Sequence, residues 1–175
     1  MRIALLISAA ALALAGCSTL DSMPTERVGE VDMSFANGLP AGTGQLVSDG
    51  RTLSLAVAVT GLEPGEHGFH LHTTGQCTAP DFTSAGGHLN PTGREHGSLN
   101  PQGKHLGDLP NLVVGASRST STEVDLGADT RELRETLFDN DGTAVIVHAK
   151  ADDYRSDPAG DAGPRVACGV LRQSS

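Results

Sequence analysis

Residues 68–110 read GFHLHTTGQCTAPDFTSAGGHLNPTGREHGSLNPQGKHLGDLP and hold five of the chain's seven histidines: His70, His72, His88, His96 and His105. His67 stands just before this stretch, and His148 lies well downstream. His70-Leu71-His72 reads as a strand, on which alternate residues share a face about 6.7 Å apart. Both imidazoles can then reach one ion while Leu71 turns to the core. H-x-H alone is a weak signal. From Thr73 to Pro110 periodicity stops for about forty residues, a length that compact domains keep only where function or cross-links hold it. Within it, His88, His96, His105 and Asp108 supply three imidazoles and a carboxylate, a plausible tetrahedral zinc set. The fold is expected to hold imidazoles around metal.

The flanks read as short strands. Val31, Met33 and Phe35 alternate with Asp32 and Ser34, the period of a half-buried strand. Residues 44–48 and 52–60 read as two more strands around Asp49-Gly50, with Leu53, Leu55, Val57 and Val59 on one face. Residues 61–65 read as a turn. Strand patterns return at 111–115, 119–126, 143–149 (TAVIVHA) and 165–171, with one or two helical turns within 128–138 capped by Asp129 or Thr130. Residues 152–164 form a second polar loop. With 22 Gly, 9 Pro and no Trp, such strands and turns predict an all-β antiparallel sandwich or barrel.

The 175 residues suffice for one buried domain. A net charge of −9 argues against nucleic-acid binding, which needs a cationic face. Residues 1–16 place Arg2 before an apolar run too short to span a bilayer, the pattern of a secretory leader. The run ends in Leu14-Ala15-Gly16-Cys17, which resembles the lipobox of bacterial lipoproteins. Cys17 is therefore expected to carry lipid, and residues 17–27 to form a flexible tether to a domain over 28–175. Ser18, rather than an acid, after Cys17 favours the outer membrane, so the protein is expected to face the periplasm. Cys77 and Cys168 then remain as an even pair in an oxidising compartment, where a bridge is expected; two free thiols serving as soft metal ligands are the alternative.

GFHLH, SAGGHLNP, HLGDLPN, VHAKADD and RVACGVL occur in this order. Together they closely resemble the copper–zinc superoxide dismutase family from about Val28 to Leu171. The resemblance implies a Greek-key antiparallel β-barrel of about eight strands, with a long metal-binding loop and a second active-site loop. It implies one copper per subunit on His70, His72, His88 and His148, and one zinc on His88, His96, His105 and Asp108. His88 would bridge the two. On residue pattern alone His67 would join the ligands; the resemblance makes it a structural histidine bracing the loop. Asp152 matches an aspartate that bonds one copper ligand and one zinc ligand, while Asp153 reads as a solvated acid. Arg165 resembles the family's anion-docking arginine.

The implied activity is dismutation of superoxide to O2 and hydrogen peroxide by copper cycling, with Arg165 and His88 as catalytic residues. In the family the bridging imidazole releases reduced copper, takes up a proton and returns it, and zinc shapes the loop. A non-catalytic copper/zinc binding protein of the same fold is the alternative. The segment from His148 to Arg165 is shorter than in the family's eukaryotic enzymes, lacks an evident cluster of guiding charges, and has Ala159 near the place of a small hydroxyl residue. Lys104, Lys150 and Arg155 are the candidates for guiding substrate. Monomer and homodimer both stay open.

Overall fold

The computed structural model describes residues 25–174. The leader, Cys17 and the tether up to residue 24 lie outside the described residues. Among the described residues nine strands form: β1 (Glu26–Phe35), β2 (Pro40–Ser48), β3 (Thr52–Thr60), β4 (Gly65–His67), β5 (Phe69–His72), β6 (Leu112–Val114), β7 (Ser119–Ala128), β8 (Thr143–His148) and β9 (Arg165–Gln173). One helix, α1 (Arg131–Leu137), lies between β7 and β8. Seven strands pair antiparallel in the order β5-β8-β9-β1-β2-β3-β7, and this sheet curls into a half-barrel. Strands β4 and β6 pair separately. This is the expected all-β fold.

Alternation builds the core. On β3, Leu53, Leu55, Val57 and Val59 point inward, and on β1 Val28, Val31 and Met33 do the same while Glu30 and Asp32 stay exposed. Strand β8 is buried at every position. Its Val145 and Val147 join the main core, whereas Ala144 and Ile146 face a second cluster with Phe82, Ala85 and Cys168. Two apolar layers therefore enclose β8, and truncating Ile146 to alanine should cost about 2–5 kcal/mol. His148 ends this rigid strand and inherits its fixed position.

Cys77 and Cys168 are bridged, with Cα atoms 5.7 Å apart. The bond pins the long loop to β9 across 91 residues. In the chain-entropy model a span of that size contributes roughly 4–5 kcal/mol, by restricting the unfolded chain. The free-thiol alternative is thereby set aside.

Three local differences from the sequence reading have physical causes. Strand β1 starts at Glu26, two residues ahead of the expected domain boundary, because Glu26 and Arg27 find ladder partners in Ser48 and Val47. Strand β2 starts at Pro40, four residues ahead of the strand expected from residue 44; its exposed first position tolerates a residue without an N–H. Strand β4 spans only three residues, too few to show a period, and is fixed by pairing with β6. Helix α1 is capped by Thr130, whose hydroxyl accepts the Leu133 N–H at 3.1 Å.

Asp129, the other candidate cap, has a different task. Its carboxylate accepts the Ser48 hydroxyl at 2.5 Å and two Arg134 N–H donors at 2.7 and 2.6 Å, and Arg134 also reaches Glu26 at 3.2 Å. This network ties α1 to β1 and β2. The Arg134 bond, with Ser48 helping, lowers the Asp129 carboxyl from its ordinary 3.8 to about 2. A depressed folded value stabilises the protein above pH 3.8, and the contribution is lost as pH falls through about 2. Asp129→Asn is therefore expected to lower stability at pH 7 and to shrink the further loss between pH 3.8 and about 2. Denaturant titrations across that range check it; parallel curves for the two proteins contradict it.

Candidate metal centre

Leu71 is the hub that brings the loop back to β5. Its side chain lies in the main core, while its N–H donates to the Gly107 carbonyl at 3.0 Å and its carbonyl accepts the Leu89 N–H at 2.8 Å. Gly107 N–H also donates to Leu89 at 2.9 Å. Single ladder bridges then set His72 opposite His88 and His70 opposite Asp108. The loop has no element of its own there, yet its backbone is bonded to a strand on both sides. That places His88, His105 and Asp108 beside the two strand histidines, with β8 delivering His148.

Two buried groups result: His70, His72, His88 and His148, and His88, His96, His105 and Asp108. Within each, every ligand atom lies within 4.8 Å of the others. His88 belongs to both.

The first group is defined by what its nitrogens lack. His70 Nδ1, His72 Nε2, His88 Nε2 and His148 Nε2 are buried and have no hydrogen-bond partner among the described residues. The opposite nitrogen of each ring is engaged. His72 Nδ1–H donates to the Gly86 carbonyl at 2.9 Å, His148 Nδ1–H to Gly163 at 2.9 Å, and His70 Nε2–H to Asp152 at 2.8 Å. Such bonds select the tautomer that leaves a lone pair on the facing nitrogen. Four unpaired buried acceptors aimed at one point are unfavourable unless a shared electrophile satisfies them. Burial, the largest cause, lowers His72 to about 2, His88 to about 4 and His148 to about 3, so these rings stay neutral at pH 7. Neutral imidazoles suit copper.

The second group converges on one oxygen. Asp108 Oδ1 meets His88 Nδ1 at 2.8 Å and the Nδ1 atoms of His96 and His105 at 3.0 Å. Asp108 Oδ2 accepts the backbone N–H of Gly97 and of His105, which fixes the carboxylate. Burial opposes ionisation of Asp108, but these contacts hold its carboxyl well below the usual range. His96 loses charge stability by burial, yet Asp108 and Asp152 raise it to about 9. Three nitrogens and one oxygen of this kind fit zinc.

Asp152 joins the groups from behind, its Oδ2 accepting from His70 and its Oδ1 from His96 Nε2–H at 3.0 Å. His67 stands outside both groups; its Nδ1 meets the His148 carbonyl at 2.7 Å and its Nε2 the Glu63 carbonyl at 2.8 Å. Asp153 is exposed and caps the turn at Arg155 and Ser156. Arg165 donates to the Phe82 carbonyl at 2.7 Å and to Gly86 at 2.6 Å, the same Gly86 oxygen that accepts from His72. It lines a cleft of about 400 Å³ together with His72, His88, His148, Ala159 and Arg94.

Arg94 was not anticipated at this cleft. Of the expected guiding cations, Lys104 instead donates to the Asp108 carbonyl at 3.0 Å and Arg155 to Leu99 at 3.4 Å, while the Lys150 stem packs near Gly163. None of these three lines the cleft. Arg94 sits two residues before His96, and its carbonyl accepts the His105 Nε2–H at 3.0 Å. That neighbourhood was its only signal in the sequence. Asn111 and Tyr154 are two further residues missed; they hold Asp152.

Comparison with known proteins agrees with this geometry. The family model for copper/zinc superoxide dismutase matches residues 41–171. A copper–zinc superoxide dismutase of Aquifex aeolicus is 42% identical over 134 residues, covering 75% of this chain and 78% of its own. A superoxide dismutase-like protein of Bacillus subtilis is 37% identical over 189 residues, covering 97% and 95%. Among solved structures, a double mutant of a superoxide dismutase-like protein from Bacillus subtilis superposes with a TM-score of 0.77 at 38% identity, over 83% of this chain and 99% of that one. The copper/zinc superoxide dismutase of Brucella abortus superposes with a TM-score of 0.64 at 30% identity, over 85% and 100%.

Zinc at a thousandfold excess over its Kd is expected to stabilise the protein by about 4 kcal/mol, because it binds only the folded chain. Calorimetry reads this as a zinc-dependent rise in Tm. Asp108→Ala is expected to abolish the rise, and a rise of the same size in the variant contradicts the site.

Proposed function

The chain belongs to the copper/zinc superoxide dismutase family, and from that premise we propose that it disproportionates superoxide to O2 and hydrogen peroxide. One observation carries this reading: four unpartnered imidazole nitrogens stand beside a cleft that also holds two guanidinium groups. Copper on His70, His72, His88 and His148 would supply the one-electron exchange, and zinc on His88, His96, His105 and Asp108 would supply a fixed positive charge without redox chemistry.

The chain's own residues supply the rest. Arg165 docks the anion, its guanidinium held by the Phe82 and Gly86 carbonyls so that it need not reorganise on binding. Arg94 adds a second positive charge at the mouth, against one acid, Asp157, whose carboxylate accepts the His96 N–H. The local field thus favours an anion although the chain carries −9 overall. His88 lines the cleft; with zinc on its Nδ1, its Nε2 would take up a proton when not holding copper and give it up as peroxide forms. Asp152 keeps His70 and His96 in the tautomers that these roles require.

The non-catalytic reading rests on the Bacillus subtilis relative, which is named only as superoxide dismutase-like. Against it stands the presence here of every ligand of both groups and of Arg165. For location, we infer the cell envelope, with Cys17 as the lipid anchor. The leader-like pattern of residues 1–16 and the Cys77–Cys168 bridge support that inference.

Protein reconstituted with one copper and one zinc per chain is expected to dismute superoxide and to lose this activity when chelation removes copper. Arg165→Ala should lower turnover at least about tenfold at low ionic strength, with unchanged metal content. Equal turnover in both proteins removes Arg165 from the mechanism. A fully loaded parent without turnover favours the binding-protein reading.

A further inference from the structure

Asp152 is bonded on every side. Besides His70 and His96, its carboxylate accepts the Tyr154 backbone N–H at 2.6 Å. Its own N–H donates to Asn111 Oδ1 at 2.9 Å, and Asn111 Nδ2 donates back to the Asp152 carbonyl at 2.9 Å. The Asn111 side chain therefore pairs with the Asp152 backbone as a neighbouring strand would. Asn111 is in turn fixed by Tyr154, whose hydroxyl oxygen accepts the Asn111 backbone N–H at 2.7 Å. Tyr154 reaches the zinc loop as well, its carbonyl accepting the Leu99 N–H at 3.0 Å.

Tyr154 takes this position in an unfavourable conformation. Its φ is 60°, in the left-handed region that side chains with a Cβ rarely adopt. Gly97, next to the zinc ligand His96, makes room for it; a Cβ there would overlap the Tyr154 carbonyl. Gly160 likewise lies so close that a Cβ would overlap the Asp152 carboxylate. A strained backbone at the meeting point of two loops persists where the surrounding contacts over-determine it.

We propose that Tyr154 is a positioning residue for both metal groups. Its hydroxyl closes a ring of bonds through Asn111 to Asp152, and so sets how His70 and His96 present their facing nitrogens. Removing the hydroxyl leaves the Asn111 N–H without its acceptor and frees Asp152 to turn, which disturbs the copper and zinc groups together. The proposal rests on the two-metal reading of the site and not on turnover.

The test uses the full copper- and zinc-loaded protein and its Tyr154→Phe variant, which keeps the ring. Zinc release to excess chelator and the Cu(II) electron paramagnetic resonance signal are measured for both. The variant is expected to release zinc about tenfold faster or more, with a shifted Cu(II) signal and the far-ultraviolet circular dichroism of the parent. Equal release rates with an unchanged Cu(II) signal overturn the proposal. Should the variant fail to fold, the parent decides, because Tyr154 is the only tyrosine and there is no tryptophan. Its emission is expected to change as metal-free protein takes up zinc, ending at one equivalent; emission indifferent to zinc overturns the proposal. Dismutation by the parent is assayed alongside. A loaded but inactive parent overturns the proposed reaction alone, and zinc release and the Cu(II) signal still decide the role of Tyr154.

Discussion

The structure depends on one ring, the His88 imidazole, facing two ways inside a buried site. Its Nδ1 meets the Asp108 carboxylate and its Nε2 stands unpartnered among His70, His72 and His148. A buried imidazole can satisfy only one side by ordinary hydrogen bonding here. The other needs a proton or a cation, and the fold supplies three more lone pairs around the same point. Everything else fixes those directions: β5 and β8 for three of the rings, Leu71 for the loop, and Asp152 for the tautomers.

Rigidity reaches the site by two routes of different chemistry. Behind the copper group it is apolar, since β8 is packed on both faces and the Cys77–Cys168 bridge ties the loop to β9 beside Ile146. Behind the zinc group it is polar, a chain of directed bonds through Asp108, Asp152, Asn111 and Tyr154. Apolar packing resists collapse but sets no ring angle. Directed bonds set angles and depend on each member being satisfied. The two metal groups are thus supported by different forces and joined at His88 and Asp152.

Much of this was legible in the chain. Alternation on β1 and β3 and the H-x-H spacing on β5 follow from period-two geometry. The loop ligands were readable because histidines cluster where regular structure stops. What stayed hidden was carried by backbone groups or by distant partners. Strand β4 exists only because β6 lies beside it. The Asn111 side chain bonds main-chain atoms of Asp152 forty-one residues away, and any residue type supplies those partner atoms. Tyr154 is a lone aromatic whose hydroxyl meets a backbone N–H, so no motif announces it. Arg94 enters the cleft through a loop turn fixed by its Asn90 bonds at 3.0 and 2.8 Å, while lysines that looked equally suited point elsewhere.

The central claim is that two different metals share His88. Anomalous diffraction from crystals of the loaded protein, collected at the copper and zinc absorption edges, tests it most directly. The account predicts a copper peak among His70, His72 and His148 and a separate zinc peak among His96, His105 and Asp108, with the His88 ring between them. A single peak, or both metals at one position with His88 bound on one side only, contradicts it.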